Sequence, residues 1–360
     1  MSGKFEYRRF SDIDISDPFF DSLKADYQEF ESRWFPKCCA EGREALVFYD
    51  EHGLGAFVAA KGEFEPISLS GIELPARSRI KISTLMIAER FRGQRLGEGA
   101  IGLLLWMWQK SLAEEIYITV FPSHSDIISQ LTKFGFDNIG INARGEFVFI
   151  RSKHIIDYSN PYRSFPYISP GINKGGYLIV NDVYHDSLFP YSELKGTPQE
   201  LLHCDATNGV SKVYISQMWE THLRIGEPVF IYRRYTGTAG APRYKSCVTS
   251  YCVVTDISII KRNYKRHKSF DEFCAFVGNK SVYKLSELTE KYRNDRNVMV
   301  IKLLYCGYFG SGNNLNMDWL ENSGLWVTDE RYPAHIQLSR NQCEKLWLAG
   351  NVDLDKVYGE

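Results

Sequence analysis

The stretch Arg92-Gly93-Gln94-Arg95-Leu96-Gly97 follows a strand-like run, Arg79 to Ala88, and opens an apolar helical pattern that continues to about Glu114. A strand that leads through a glycine-bearing turn into a helix presents backbone N–H groups where a diphosphate can bind. The stretch lacks the Gly-x-x-x-x-Gly-Lys-Ser/Thr spacing of nucleotide hydrolases and the Gly-x-Gly-x-x-Gly spacing of dinucleotide-binding domains. It therefore predicts a phosphate-binding turn of another kind.

The segments around this turn predict further strands and helices. The predicted strand before it contains Ile80, Ile82 and Ile87 and ends in Leu85-Met86-Ile87. The pattern after the helix predicts a strand, a helix and a last strand, in the order Glu115 to Phe121, Ser125 to Phe134 and Gly145 to Arg151. The helix in this series ends just before the pair Gly135-Phe136.

The turn resembles the acyl-CoA-binding motif of the GCN5-related N-acetyltransferase (GNAT) superfamily, Arg/Gln-x-x-Gly-x-Gly/Ala, with Arg92 in the first position and Gly97 in the last. Arg95 stands where the family most often has its middle glycine. Gly135-Phe136 resembles the end of the family's second cofactor motif. The resemblance covers roughly residues 5–152. It implies an α/β fold, in which a mixed, mostly antiparallel sheet with flanking helices is splayed at one point to admit the cofactor.

The resemblance implies transfer of an acetyl group from acetyl-CoA, the cosubstrate, to an amine held in line with it. The residues it assigns to cofactor binding are Leu85, Met86, Ile87, Arg92, Gly93, Gln94, Arg95, Leu96, Gly97 and Glu98. Family members often use a tyrosine to protonate the departing thiolate. The matching position here is Leu131, which cannot donate a proton, so the usual acid is missing or supplied elsewhere.

Three polar residues are candidates for catalysis. His124 stands where the family commonly has an asparagine facing the cofactor. Because histidine titrates near neutrality, it is suited to act as a base toward the amine or as an acid toward sulfur. The alternative is that His124 and Asp126 only cap the following helix. Tyr117 and Ser83 are the other candidates, and for each of them a structural role stays open.

Composition predicts two soluble domains. The chain has 360 residues, 44% of them hydrophobic, and a net charge of −1. No apolar run approaches the roughly 20 residues of a membrane-spanning helix, and the amino terminus lacks an apolar leader segment, so we expect a cytoplasmic protein without membrane contact. The eight cysteines include no Cys-x-x-Cys, and His203-Cys204-Asp205 lacks a second ligand pair, so reduced thiols and no metal site are expected.

A change of composition predicts the domain boundary. We expect an acetyltransferase-like domain in residues 1–156, a Pro/Gly/Tyr-rich connector in 157–176 and a second domain in 177–360. The second half contains strand patterns at Tyr177 to Val180, Lys212 to Ile215, Pro228 to Tyr232, Ser246 to Ile260 and Val298 to Leu304. Helical patterns lie near Phe270 to Phe276, Leu285 to Arg293 and Asn341 to Leu348. This mixture predicts an α+β domain built on a small, partly open barrel.

Two segments of the second half, Ile225 to Tyr232 and Cys247 to Val254, resemble the paired barrel strands of PUA-like domains, the group that also holds the ASCH and EVE types. Tyr184 to Pro190 resembles a segment found in bacterial proteins that join a GNAT domain to such a barrel. Domains of this group commonly bind RNA or modified nucleotides. The resemblance therefore implies that the second domain selects or positions the substrate.

The charge pattern is compatible with such binding. Between Arg224 and Lys268 there are ten Lys and Arg residues against two acidic ones, with tyrosines interleaved. Basic and aromatic side chains together suit phosphate and base contacts, and a solvated basic hairpin beside core tyrosines is the alternative. The residues predicted to contact nucleic acid are Arg233, Arg234, Arg243, Lys245, Lys265 and Arg266.

Three hypotheses follow. The first is an N-acetyltransferase acting on an amine carried by RNA, such as an aminoacyl-tRNA, by analogy with acetyltransferase toxins, with a homodimer or an antitoxin-like protein as a further partner. The second is an enzyme acting on a protein amine, with the barrel as its docking module. The third is a degenerate acetyltransferase domain in a nucleic-acid-binding protein, which the missing tyrosine and Arg95 would mark.

Overall fold

The computed structural model describes residues 4–195, 199, 201–202, 204–326 and 335–359. The chain divides into two compact units. The first comprises Met1–Leu104, Ser111–Thr132 and Phe136–Ile155, and the second comprises Leu105–Lys110, Lys133–Gly135 and Ile156–Glu360.

The first unit is built on a sheet with the strand order β1-β2-β3-β4-β5-β7-β6. Its strands are β1 (Glu6–Arg9), β2 (Glu44–Asp50), β3 (Gly53–Leu69), β4 (Ile72–Ile87), β5 (Glu115–Val120), β6 (Asp137–Ile141) and β7 (Phe147–Ser152). The helices α1 (Asp21–Asp26) and α2 (Phe35–Ala40) belong to this unit, as do the residues of α3 (Leu96–Lys110) up to Leu104 and those of α4 (Ser125–Lys133) up to Thr132. Neighbouring strands run antiparallel, except that β4 and β5 are parallel. The predicted mixed, mostly antiparallel sheet is therefore confirmed.

An aromatic core fixes the amino-terminal segment on this sheet. Phe57 of β3 meets Phe10 and Phe20 edge to face, with ring centres 5.5 Å and 5.1 Å apart. Phe35 of α2 lies 5.1 Å from Phe10 in the same manner. Each of these rings is almost fully buried, and burying one phenyl ring contributes about 2–3 kcal/mol. The packing thus holds α1 and α2 against β2 and β3.

Two element boundaries differ from the sequence prediction. β4 begins at Ile72 instead of Arg79, because its first half pairs with β3 in a long hairpin before β5 joins. α3 ends at Lys110 instead of near Glu114. The carbonyl of Ser111 just beyond it accepts a hydrogen bond of 2.7 Å from Lys153 Nζ, a cation placed where the helix dipole is negative.

The second unit is built on a sheet whose strands follow the order β15-β8-β10-β11-β13-β9, with β12 and β14 paired to β11. Its strands are β8 (Lys174–Asn181), β9 (Ser211–Ser216), β10 (Pro228–Arg234), β11 (Cys247–Arg262), β12 (Lys265–Arg266), β13 (Val298–Tyr308), β14 (Leu315–Asn316) and β15 (Gln337–Ser339). Its helices are α5 (Pro161–Ser164), α6 (Asp182–Leu188), α7 (Pro242–Lys245), α8 (Phe270–Val277), α9 (Leu285–Asn294), α10 (Met317–Asn322), α11 (Arg340–Ala349) and α12 (Leu354–Tyr358).

The predicted pairing of the segments around Pro228 and Cys247 is confirmed, because β10 and β11 form an antiparallel ladder. The predicted small, partly open barrel is not shown. Among the described strands the ladder runs from β15 to β9 without a pairing that joins these two ends. α8 and α9 cover one face of the sheet, where Phe273 and Tyr292 stack with ring centres 6.0 Å apart.

Candidate functional site

The sheet of the first unit opens between its two parallel strands. β4 and β5 pair from Arg79 opposite Glu115 to Ile82 opposite Ile118. Beyond this point, among the described strands, β4 pairs only with β3 and β5 only with β7, so their facing edges separate. Residues 85–87 lie on the open part of β4 and are half-buried. Because alternate residues of a strand direct N–H and C=O groups to each side, this edge offers hydrogen bonds to an extended, amide-bearing ligand. The predicted splay is present.

The turn after β4 has two residues in the left-handed region of backbone space. Gly93 has a φ of +80° and Arg95 a φ of +65°. Glycine adopts this conformation without strain, whereas a residue with a Cβ carries a cost of about 1–2 kcal/mol. The φ of Arg95 accords with the glycine that the resembling motif has at this position.

Gly97 lies in the first turn of α3. A Cβ placed on Gly97 would have Ile87 Cγ1, at 4.0 Å, as its nearest neighbour, and the φ of Gly97 is not left-handed. Packing and backbone conformation therefore do not require glycine here. Among the described residues the backbone N–H groups of Leu96 and Gly97 have no acceptor, as is usual for the first turn of a helix. The absence of a side chain leaves these donors accessible to an anion.

Arg95 turns its side chain back onto α3. Its Nη2 lies 2.7 Å from Glu98 Oε1, and both side chains are only 7% exposed. The pair places a cation and an anion together beside the helix amino terminus. In contrast, Arg92 is exposed and its nearest carboxylate oxygen, on Glu89, is 3.8 Å away, so that surface ion pair contributes little.

Tyr117 is buried on β5 within a polar group of side chains. Its hydroxyl donates a hydrogen bond to Glu63 Oε1 on β3, and Lys61 Nζ lies 2.8 Å from Glu63 Oε2. Burial and the nearby Glu63 carboxylate raise the pKa of Tyr117 well above its usual range. Burial opposes ionisation of Glu63, but the hydrogen bonds from Lys61 and Tyr117 outweigh it and lower the pKa of Glu63. This placement favours a structural role for Tyr117.

Sequence reasoning missed Glu63, because Tyr117 and Glu63 are 54 positions apart and only the strand register brings them together. No local sequence motif indicates that Tyr117 and Glu63 form a hydrogen-bonded pair.

Ser83 and His124 lie nearer to the opening. Ser83 is the first residue of β4 beyond the paired segment, and its hydroxyl donates to the Ala59 carbonyl at 3.3 Å. His124 follows β5 and precedes α4, its side chain is exposed, and its carbonyl accepts from Ile128 N at 3.1 Å. Leu131 is fully buried in α4, as a core residue. Of the three polar candidates, His124 has the most accessible side chain.

A second polar pair lies beside the residue that follows β5. Tyr27 OH donates to Glu146 Oε1 at 3.2 Å, and the Tyr27 ring lies 6.4 Å from the ring of Phe121 and 4.9 Å from the Arg144 guanidinium. Burial, followed by the charge of Glu146, raises the pKa of Tyr27 to about 12. Glu146 is only 3% exposed. The sequence analysis did not find this pair, since neither residue belongs to a motif.

The basic side chains of the second unit do not all remain available to a nucleic acid. Arg233 is buried, and its Nε lies 2.9 Å from Asp186 Oδ1. Arg243 forms ion pairs of 2.8 Å with Asp318 and 2.6 Å with Glu321. The prediction that Arg233 contacts phosphate needs correction, because its charge is already neutralised inside the unit.

Other predicted basic residues lie at the surface. Lys245 Nζ is 4.7 Å from the ring centre of Tyr235, and Arg266 stacks 5.1 Å from that of Tyr292. Lys265 is exposed on the hairpin of β11 and β12. Arg234 Nε donates to Asn181 Oδ1 at 2.8 Å.

Within the described ranges no cluster of three His, Cys, Asp or Glu side chains is placed to hold a metal ion. His203, which the sequence analysis weighed as a ligand, lies outside the described residues. No helix in the described part of the chain is long and apolar enough to cross a membrane.

No protein-family model matches the chain, and no curated protein matches it. Solved structures align with about two fifths of it. Naa50 from Arabidopsis thaliana, in complex with the bisubstrate analogue CoA-Ac-MVNAL, is 22% identical with a TM-score of 0.30, over 42% of this chain and 99% of that chain. The N-acetyltransferase PseH from Campylobacter jejuni, in complex with acetyl coenzyme A, is 11% identical with a TM-score of 0.29, over 41% and 99%.

A GNAT-family acetyltransferase from Bacillus cereus is 16% identical with a TM-score of 0.29, over 42% of this chain and 98% of that chain. The chain is thus similar over part of its length to proteins of this fold. At such identities and scores the similarity concerns the fold alone.

Proposed function

We propose that the first unit is an acetyl-CoA-dependent N-acetyltransferase. The observation that carries the proposal is the end of the parallel ladder at Ile82 and Ile118, followed along the chain by a helix with Gly97 in its first turn. A Cβ added to Gly97 would meet only Ile87 Cγ1, at 4.0 Å. A gap between strands and an uncovered helix amino terminus, supplied by one continuous segment, match the two ends of an extended ligand with a diphosphate.

The open edge of β4 would bond the amide-bearing arm of acetyl-CoA, and the turn and first helical turn would hold its diphosphate. The N–H groups of Leu96 and Gly97 and the positive end of the α3 dipole favour such an anion. The thioester would then lie between the diverging strands. Position and orientation would supply much of the rate acceleration.

In the reaction the lone pair of a neutral amine attacks the thioester carbonyl, a C–N bond forms and the C–S bond breaks. The amine loses one proton and the thiolate gains one. We assign this proton transfer to His124, because its side chain is exposed in the loop between β5 and α4 and an imidazole exchanges protons near neutral pH. Ser83 and Tyr117 are already engaged, with Ala59 and Glu63 respectively.

The acceptor is an amine that carries positive charge before it reacts. The buried carboxylate of Glu146, which accepts from Tyr27 OH and from Asn142 Nδ2, would add a negative charge near the end of β5 that favours such a group. The second unit would select the molecule that carries the amine, either an RNA or a protein. The ion pairs of Arg233 and Arg243 weaken the case for RNA, and exposed Lys265 supports it.

Isothermal titration with acetyl-CoA tests the cofactor site. We expect the unmodified protein to bind and Gly97→Trp to lose binding, because the indole would fill the space in front of the helix amino terminus. Gly62→Trp is the matched control, since Gly62 lies on β3 and a Cβ placed there would have no atom within 4 Å. Absence of binding by the unmodified protein, or equal binding by Gly97→Trp, would overturn the proposal.

The acceptor is identified by measuring the release of CoA thiol from acetyl-CoA in the presence of candidate amines. Aminoacyl-tRNA, uncharged tRNA and a peptide with a free amino terminus distinguish the RNA and protein hypotheses. Acetyl-CoA binding without thiol release by any acceptor, together with RNA binding that is weakened by salt and by neutralising Lys265 and Arg266, would favour the degenerate domain.

A further inference from the structure

The second unit contains a cavity of about 490 Å³ between strands β8 and β9. Cavities that bind small molecules commonly measure about 300–1,000 Å³. The sheet order separates β8 and β9 by β10, β11 and β13, so the two strands line the cavity as opposing edges and not as a bonded pair. The cavity belongs wholly to the second unit and is independent of the acetyltransferase proposal.

Backbone groups of both strands line the cavity. β8 pairs with β15 through residues 174–176, and beyond them its one partner strand in the described part of the chain is β10. On β9, Val213 N–H donates to the Lys280 carbonyl, away from β13. Alternation then directs the backbone N–H and C=O of Ile215 away from β13 as well. Across the cavity, Tyr214 OH donates to the Ile179 carbonyl at 3.0 Å.

One wall of the cavity is aromatic. Tyr184 of α6 and Tyr283, just before α9, have ring centres 5.0 Å apart, and both are half-buried. Lys291 Nζ lies 4.5 Å from the centre of the Tyr283 ring. Aromatic side chains pack favourably against flat rings. The remaining apolar lining is contributed by Ile179, Val180, Leu188, Val213, Ile215, Met218 and Val282.

The charge of the cavity is positive. Arg234 and Lys291 line it, and none of the described lining residues is acidic. Neither cation forms an ion pair with a carboxylate in the described part of the chain. The one side-chain acceptor of Arg234 is neutral, the amide oxygen of Asn181. Two cations beside an aromatic wall, without a neutralising carboxylate, favour an anionic ligand.

The wall that carries Tyr184 is held by a buried network. His185 Nδ1 lies 2.9 Å from Asp186 Oδ1, His185 Nε2 lies 2.7 Å from Thr249 Oγ1, and Asp186 also bonds Arg233 of β10. All of these side chains are buried. Because one partner cannot be removed without leaving a buried polar group unsatisfied, the network fixes α6 and thereby the position of Tyr184.

We propose that this cavity binds a small organic anion with a flat aromatic body, of the size of a nucleoside monophosphate. The ring packs on Tyr184 and Tyr283, and its polar edge bonds the exposed backbone groups near Ile215. The anionic group lies against Arg234 and Lys291. Phosphate, carboxylate and sulfonate share this chemistry, so the experiment must separate them.

Fluorescence titration of the whole protein with anilinonaphthalene sulfonate, which combines flat rings with one sulfonate, tests the site. We expect saturable binding that Arg234→Gln and Lys291→Gln each weaken about tenfold, the effect of one lost charge-assisted contact. Lys356→Gln removes an exposed cation of the same unit, on α12, that does not line the cavity, and serves as the control. Competition by adenosine monophosphate and by naphthoate identifies a phosphate or a carboxylate ligand.

Displacement of the probe by either competitor, lost in the Arg234 and Lys291 variants alone, supports the proposal. Failure of both competitors, or equal weakening by Lys356→Gln, overturns it. Both pocket substitutions are at surface cations, so a circular dichroism spectrum like that of the unmodified protein is expected. If either substitution unfolds the protein, Tyr184→Ala replaces it, with the same required loss of displacement.

Discussion

Ile82 of β4 and Ile118 of β5 form the last residue pair of a parallel ladder that is only four pairs long. Both side chains are buried, so the core holds the two strands together up to this point. Beyond it each strand keeps its outer partner, β3 or β7, and the inner edges part. The opening is therefore built into the hydrogen-bonding pattern of the two strands.

Gly97→Ala separates folding from ligand binding. Because the new Cβ would meet only Ile87 Cγ1 at 4.0 Å, we expect no loss of stability and a gain of up to about 1 kcal/mol from the higher helix propensity of alanine. Affinity for acetyl-CoA should fall, since the methyl group lies before the helix amino terminus. Urea unfolding and titration measure the two effects. Loss of both stability and affinity would show that glycine is needed for packing.

Arg95 and Glu98 are expected to oppose each other at the diphosphate. Their side chains lie 2.7 Å apart beside the amino terminus of α3. A carboxylate repels the ligand there and a guanidinium attracts it. Glu98→Gln should therefore tighten acetyl-CoA binding and Arg95→Gln should weaken it, each by about threefold to tenfold. Titration at low and high salt checks this, and changes of the same sign in both variants would contradict it.

Sequence patterns were sufficient to predict the strands and helices whose hydrophobic pattern is contained in a short stretch of the chain. The strand at Glu115 and the helix at Ser125 appear with boundaries within one residue of the prediction, because alternation and helical spacing are read within a few residues. The full length of β4 was missed, since its first half is polar and becomes a strand only by pairing with β3. The choice of which strands pair is made by tertiary structure and is not encoded in the local sequence pattern.

The residues of the candidate site also differ in whether a local sequence pattern reveals them. The turn from Arg92 to Gly97 was found because its motif is contiguous, and the left-handed φ of Arg95 agrees with the glycine expected there. The pair of Tyr27 and Glu146 was not found, because 119 positions separate these residues. The burial of Arg233 was also missed, because a run of basic residues does not reveal that Asp186 lies opposite one of them.

His124→Ala tests the assignment of the proton transfer. We expect kcat for acetyl transfer to fall by about 10²–10⁴, the usual contribution of a general acid or base, while the affinity for acetyl-CoA stays unchanged. In a plot of kcat against pH, the limb that reflects ionisation of the imidazole should also disappear. Steady-state kinetics across pH, with titration of acetyl-CoA, provides the measurement. An unchanged pH profile would leave His124 a helix-capping residue.

Tyr117→Phe is the companion test, because it removes a hydroxyl that bonds Glu63 within the fold. Loss of this buried hydrogen bond should lower the free energy of unfolding by about 1–3 kcal/mol without shifting the pH profile of kcat. A large fall in kcat with unchanged stability would instead assign Tyr117 to the chemistry.

His185 is expected to make the second unit sensitive to acid. Burial lowers the pKa of His185, although its hydrogen bond to Asp186 acts in the opposite direction. In the unfolded chain the imidazole titrates at about 6.5. Below that pH the unfolded state binds more protons than the folded state, so stability is present above a pH of about 6.5 and is lost as the pH falls toward the folded pKa.

The loss is at most about 1.4 kcal/mol per pH unit for one proton. Hydrogen exchange of peptides covering Asp182–Leu188, measured between about pH 7.5 and 5.5 and corrected for intrinsic exchange, reports it. His185→Asn is the control, because an amide can bond both Asp186 and Thr249 but does not titrate. The control should have the shallower pH dependence. An equal slope in both proteins would mean that other carboxylates, and not His185, account for the sensitivity.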